Sequence, residues 1–238
     1  MSRKIQLIKD YYDKGFDLYK KKIIEIKPGV TVLIGCNGIG KTTLLHQIKN
    51  RLTKDNIPCI LFDNLRDGGK EAVSKAGLFE DFEFIVHAIQ SSEGENIVMN
   101  IEKLSSRLGY FVKNGKDNDK LNAMVDALSS LCTGKAEPEC QEIPNERWIL
   151  LDAIDSGLSV DNIVDIKEQL FETILEHNYG NEIYIVVSAN EYEMARGEQC
   201  FDVYNGKYVK TKDYEEYRNL VLQSKEWKYQ RSEMTRKD

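Results

Sequence analysis

The chain has 238 residues, 39 acidic against 33 basic, with a formal net charge of −6. That length buries a sizeable core in one or two domains, and the acidic balance argues against a surface given over wholly to nucleic acid. Five cysteines, at 36, 59, 132, 140 and 200, form an odd total without CxxC spacing. They support neither a disulfide framework nor a zinc site and fit a reducing cytoplasm. The run MSRKIQLIKDYYDKG breaks its apolar positions with charge, and no stretch approaches a membrane span in length. Neither a signal peptide nor membrane insertion is therefore expected.

In chain order, Lys22 to Ile26 reads as a strand, and Pro28 and Gly29 turn it into a second, β-branched strand, Val30 to Ile34, as in a β-hairpin. Gly35, Cys36, Asn37, Gly38, Ile39, Gly40, Lys41, Thr42 and Thr43 complete a GxxxxGKT loop, and Lys41 to Leu52 reads as a helix. In that setting Gly35, Asn37, Gly38 and Gly40 let backbone N–H groups converge on phosphate oxygens at a helix N-terminus. Lys41 adds a point charge and Thr42 a hydroxyl for Mg²⁺. The loop therefore implies binding of a nucleoside triphosphate.

Pro58 introduces a short strand, Cys59 to Phe62, ending in the polar residues Asp63 and Asn64. Two helices are predicted between Lys70 and Gln90, a break at Ser91 to Glu95, and a third helix to about Tyr110. Lys113 to Asp119 reads as a charged loop, Lys120 to Leu131 as a helix, and Thr133 to Glu146, with Pro138 and Pro144, as irregular. Trp148 to Leu151 is a buried strand that delivers Asp152 at its C-terminal end, where a carboxylate can hold Mg²⁺ opposite Thr42.

Apolar residues from Asp161 to Asn178 recur at helical spacing. Ile183 to Val187 is another buried strand. Asn205–Gly206 between Phe201–Tyr204 and Lys207–Val209 signals a two-residue hairpin, and a helix is predicted over Asp213 to Trp227 with a frayed tail RSEMTRKD. The expectation is α/β, a mostly parallel sheet with antiparallel strands near its ends. It forms one domain over 1–238 with a helical insertion at about 70–146.

Asp152, Ala153, Ile154, Asp155, Ser156, Gly157, Leu158 and Ser159 resemble the DEIDxGxS run of SMC- and RecN-type ATPases within the ABC class. The GxNGxGKTT form of the loop, with Asn37, Gly38 and Thr43, resembles the same class, and the likeness covers about Lys22 to Lys212. Ser92, Glu93, Gly94 and Glu95 resemble the SxGE signature that such proteins present to the γ-phosphate of a second subunit; a polar glycine turn capping a helix explains these residues equally well. The resemblance implies an ABC ATPase head-like P-loop fold and an ATP- and Mg²⁺-dependent head-to-tail homodimer. It also implies a role in DNA repair, recombination or defence, with DNA or protein as a further partner.

Positions 153 and 190 depart from that pattern, and Asp63 or Asn64 occupies the region where a glutamine is expected after the third strand. Ala153 stands where catalytic members carry the glutamate that polarises water, so slow hydrolysis or none is expected. Asn190 stands where a γ-phosphate histidine is usual. Asp155 and Asn190 are therefore the residues left to assist chemistry. Alternatives are a nucleotide-dependent switch without turnover and, less favoured, the nucleotide-binding subunit of a transporter. His46, His87 and His177 read as packing or surface, as do Tyr11, Tyr12, Phe16 and Tyr19, although some ABC proteins stack an aromatic on adenine in that region.

Overall fold

The computed structural model describes residues 2–12, 17–63, 93–118 and 144–234, with backbone only for 93–103 and 232–234. Strand β3 (Gly29–Ile34) lies inside a six-stranded sheet together with β4 (Cys59–Asp63), β5 (Glu146–Asp152), β6 (Glu182–Ser188), β7 (Gln199–Asp202) and β8 (Lys207–Val209). The order is β4-β5-β6-β3-β7-β8; β7 and β8 pair antiparallel and all other neighbours parallel. The fold is thus α/β with a mostly parallel central sheet, as expected. Continuous apolar runs such as Trp148–Leu151 suit strands covered on both faces.

Successive side chains of a strand point to opposite faces. Ile149, Leu151, Ile185 and Val187 enter one core with Leu104, Leu108 and Phe111 of α2 (Glu93–Asn114) and with Ile163, Leu170 and Phe171. Trp148, Leu150, Tyr184 and Val186 enter the other, against Leu44, Leu45, Ile48 and Leu52 of α1 (Lys41–Lys54). Two covered faces hold every parallel strand, and hence its C-terminal end, in a fixed plane.

Several expectations are corrected. β2 (Ile23–Ile26) does not form a hairpin with β3; it pairs antiparallel with β1 (Arg3–Gln6), because both edges of β3 are taken by β6 and β7. The Asn205–Gly206 turn is longer than two residues, since Asp202 pairs Lys207. The Asp202 carboxylate accepts from the Asn205 N–H at 3.1 Å and from its side-chain amide at 2.6 Å, which ends the strand early.

The helix predicted over Asp161 to Asn178 consists of α3 (Val160–Asp165), a π-helical segment Ile166–Phe171, and α4 (Glu172–Glu176). Residues Glu93 to Glu95 belong to α2 rather than to a break, and α2 runs past Tyr110 to Asn114. Gly115, at φ 68, closes it by donating to the Phe111 carbonyl at 2.7 Å. The final helix, after the short α5 (Tyr192–Ala195), is α6 (Tyr214–Met234); it takes in much of the tail expected to fray. The helices predicted at 70–90 and 120–131 lie outside the described residues. No helix among the described residues is long and apolar enough to cross a membrane.

Trp148 is fully buried and stacks on Tyr184 with ring centroids 4.0 Å apart and planes 4° from parallel. Trp148→Ala is expected to lower unfolding free energy by about 3–5 kcal/mol in a urea titration. Trp148→Phe, which keeps a stacked ring, should lose clearly less; equal losses would show that the stack adds nothing to burial.

Candidate functional site

β3 ends at Ile34 in mid-sheet, and the chain must reverse onto α1 across one face. Gly40 makes that reversal as the α1 N-cap, with φ 115 and ψ 24, a conformation costly for any residue with a Cβ. There is also little room: a Cβ on Gly40 would lie 3.2 Å from the Tyr19 hydroxyl oxygen, and that hydroxyl donates to the Gly40 carbonyl at 2.9 Å. The first turn of α1 holds no acidic residue. Its unpaired N–H groups and dipole therefore face the loop unneutralised, a ready site for an anion.

Lys41 is buried, and its Nζ donates to the Gly35 carbonyl at 2.7 Å. Burial pulls its pKa below the ordinary lysine value, while Cys36, Asp155 and Asp152 oppose that shift. The Thr42 side chain is exposed. The Thr43 hydroxyl instead lies 3.0 Å from that of Tyr12, and Tyr12 meets the Tyr11 ring edge-on. Tyr19 is a core residue rather than a surface one; Phe16 lies outside the described residues.

At the C-terminal ends of neighbouring strands, Asp152 stands in register with Asp63 on one side and Ser188 on the other. Such strand ends are where open α/β sheets take ligands. Asp152 and Asp155 are both buried, and Oδ1 of each has no hydrogen-bond partner among the described residues. Buried carboxylate oxygens without donors fit a hard cation and its water shell. Among the described residues no group of three His, Cys, Asp or Glu could hold a metal. Carboxylates beside a phosphate loop suit Mg²⁺, which takes one or two carboxylates plus phosphate oxygens.

Ala153 follows with φ 52, an uncommon value for a residue with a Cβ, and its N–H donates to the Ser188 carbonyl at 3.1 Å. That left-handed turn brings Asp155 back under the sheet edge. Its Oδ2 accepts from the N–H groups of Asn190 at 2.6 Å and Glu191 at 2.7 Å. Burial pushes the Asp155 pKa up, and those two N–H groups act against it. Asp155 thus latches the loop after β5 to the loop after β6. The Asn190 side chain is exposed, while its carbonyl accepts from the Tyr217 hydroxyl at 3.1 Å.

The structure brings together the phosphate loop, Asp152, Asp155 and Asn190. Ser92 lies outside the described residues, and Gly94 and Glu95 fall in the first turn of α2. His46 is half-buried and His177 exposed, and His87 lies outside the described residues.

The sequence predicted a helix over Asp213 to Trp227 but not the contacts that α6 makes with the phosphate loop. Ser224 Oγ accepts from the Cys36 N–H at 2.7 Å, Lys228 Nζ donates to the Asn37 carbonyl at 2.8 Å, and Arg231 donates to the Gly38 carbonyl at 3.4 Å. The spacing i, i+4, i+7 puts all three on one helical face. That spacing was the available signal, obscured by taking the tail as frayed.

No family model matches the chain, and no curated protein matches it. Among solved structures it is similar to cbiO1 from Clostridium perfringens, part of the ABC transporter complex cbiONQ, with 16% identity over 87% of this chain and 86% of that one and a TM-score of 0.42. It is also similar to the ADP conformation of MJ1267, an ATP-binding cassette of an ABC transporter, with 16% identity, 94% and 96% coverage and a TM-score of 0.43. A nucleotide-free ATP-binding cassette from an ABC transporter gives 15% identity, 94% and 95% coverage and a TM-score of 0.41. Likeness at this level does not assign the chain to a family. None of the three is an SMC- or RecN-type protein.

Asp155→Ala would leave two part-buried N–H donors without their acceptor and is expected to cost about 1–3 kcal/mol of stability in a denaturant titration. Asp155→Asn keeps an acceptor and should cost less. Equal stability of all three proteins would contradict the latch.

Proposed function

We propose that the chain binds Mg²⁺ and ATP in an ABC-class P-loop site and acts as an ATP-dependent, head-to-tail dimerising ATPase with weak turnover. One observation carries this reading. Lys41, resting on the Gly35 carbonyl at the base of a donor-rich helix N-terminus, carries the pull of Asp152 and Asp155, each of which holds an orphan buried oxygen. A polyphosphate with its cation would satisfy every one of these groups at once.

Gly35, Asn37, Gly38, Gly40 and Lys41 would cradle the phosphates, with Thr42 and Thr43 following at the start of α1. Thr42 and Asp152 would hold Mg²⁺, which when bound neutralises charge on the terminal phosphates. Ser92, Gly94 and Glu95 would meet the partner's nucleotide. No acid or base stands at position 153, so water activation falls to Asp155 or Asn190. With one Asp155 oxygen already accepting two N–H groups, turnover at or near background is the expectation, and a dimer held by unhydrolysed ATP follows from it.

The DEIDxGxS-like run favours a setting in DNA repair, recombination or defence. A transporter subunit would use the same nucleotide chemistry, and copurification with membranes would separate the two.

Light scattering with phosphate detection tests the proposal. Mg²⁺ and ATP are expected to double the solution mass with little phosphate released, and a chelator should reverse the change. Ala153→Glu should raise release on the order of 10²-fold or more. A monomer with and without ATP would overturn the dimer, and wild-type turnover matching that of Ala153→Glu would overturn the assignment of position 153.

A further inference from the structure

α6 reaches the phosphate loop through a built contact. Trp227 stacks on Tyr204 with ring centroids 4.6 Å apart, and Lys20 Nζ lies 5.0 Å from each of the two ring centroids. Tyr217 is buried in the main core. Arg231 donates to the Leu18 carbonyl at 3.3 Å besides Gly38, which ties the far end of the helix to the segment that precedes Tyr19. Fixed in this way, α6 sets Lys228 Nζ against the Asn37 carbonyl at 2.8 Å. Gly38 gives it room: a Cβ there would lie 2.8 Å from Lys228 Nζ. Gly38 also has a left-handed φ of 77.

Lys41 and Lys228 each place an ammonium on a carbonyl of one loop, at Gly35 and Asn37 respectively. For either, an anionic phosphate oxygen is a stronger partner than a neutral carbonyl. Lys41 is the first residue of α1, and Lys228 reaches the loop from α6, two residues beyond Gly35. A triphosphate extends one charged group further than a diphosphate, and a cation supplied within the same chain is a known way to stabilise that group.

We propose that Lys228, held in place by Arg231 and Ser224, is a phosphate-binding residue acting within its own chain on the terminal phosphate of ATP. Through it the site distinguishes triphosphate from diphosphate without a cation from a second subunit. This rests on the nucleotide reading above.

The test is calorimetric titration with Mg²⁺–ATP and Mg²⁺–ADP of the wild type, Lys228→Met, Lys228→Gln, Lys228→Arg and Lys41→Ala. The wild type should prefer ATP by about tenfold or more, the scale of one hydrogen bond to a charged group. Lys228→Met and Lys228→Gln should bring the ratio towards one by weakening ATP, with ADP changed by about twofold at most; Lys228→Arg should keep the preference. Lys41→Ala should weaken both nucleotides.

An unchanged ratio in Lys228→Met and Lys228→Gln would overturn the inference while leaving the nucleotide site intact. Equal weakening of both nucleotides would also overturn it, since that marks a lysine that only shapes the loop. A wild type that binds neither nucleotide would overturn the nucleotide reading and the inference together.

Discussion

The site depends on the burial of β3. Paired with β6 on one edge and β7 on the other, and covered on both faces, that strand has nowhere to continue when it leaves the sheet. The chain has to turn sharply onto α1, and the turn leaves helix N–H groups with no partner on their own helix. A folded protein leaves such donors to water, to side chains or to a ligand. Here the first turn of α1 offers no carboxylate to neutralise them, Lys41 rests on the Gly35 carbonyl, and the buried Asp152 ends β5, next but one to β3 in the sheet. These features together suit the loop to an anion.

Those strand ends are also tied to one another. Asp155 fastens the loop after β5 to the loop after β6 by two short hydrogen bonds, and the Tyr217 hydroxyl carries the connection from Asn190 to α6. The same helix then meets the phosphate loop through Ser224, Lys228 and Arg231. A change in the phosphate loop would thus have a continuous mechanical route to the loop after β6. Ala153 sits in this circuit with a positive φ. Its methyl group offers no proton acceptor, yet its backbone turn is what allows Asp155 to reach its partners.

Much of this was legible in the residues. The strand–loop–helix setting of the GxxxxGKT run could be read because that pattern places glycine, lysine and threonine at set intervals between a strand and a helix, and the structure has both elements where the pattern puts them. Asp152 could be read because a fully covered parallel strand leaves an unbroken apolar run with its carboxylate at the end. Less legible were features set by distant partners. The pairing of β2 with β1 follows from which edges of β3 are free, and strand periodicity carries no record of that. The early end of β7 comes from one Asp202 side chain. The ordered end of α6 depends on carbonyls of Leu18, Asn37 and Gly38, roughly 190 or more residues away in the chain. A polar, charged tail looks the same whether it frays or docks.

The most direct measurement is the position of Lys41 Nζ in crystals grown with Mg²⁺ and a non-hydrolysable ATP analogue. The account predicts that it leaves the Gly35 carbonyl for a phosphate oxygen, with the metal between Thr42 and Asp152. Lys41 still on Gly35, with the nucleotide bound elsewhere or absent, would contradict it.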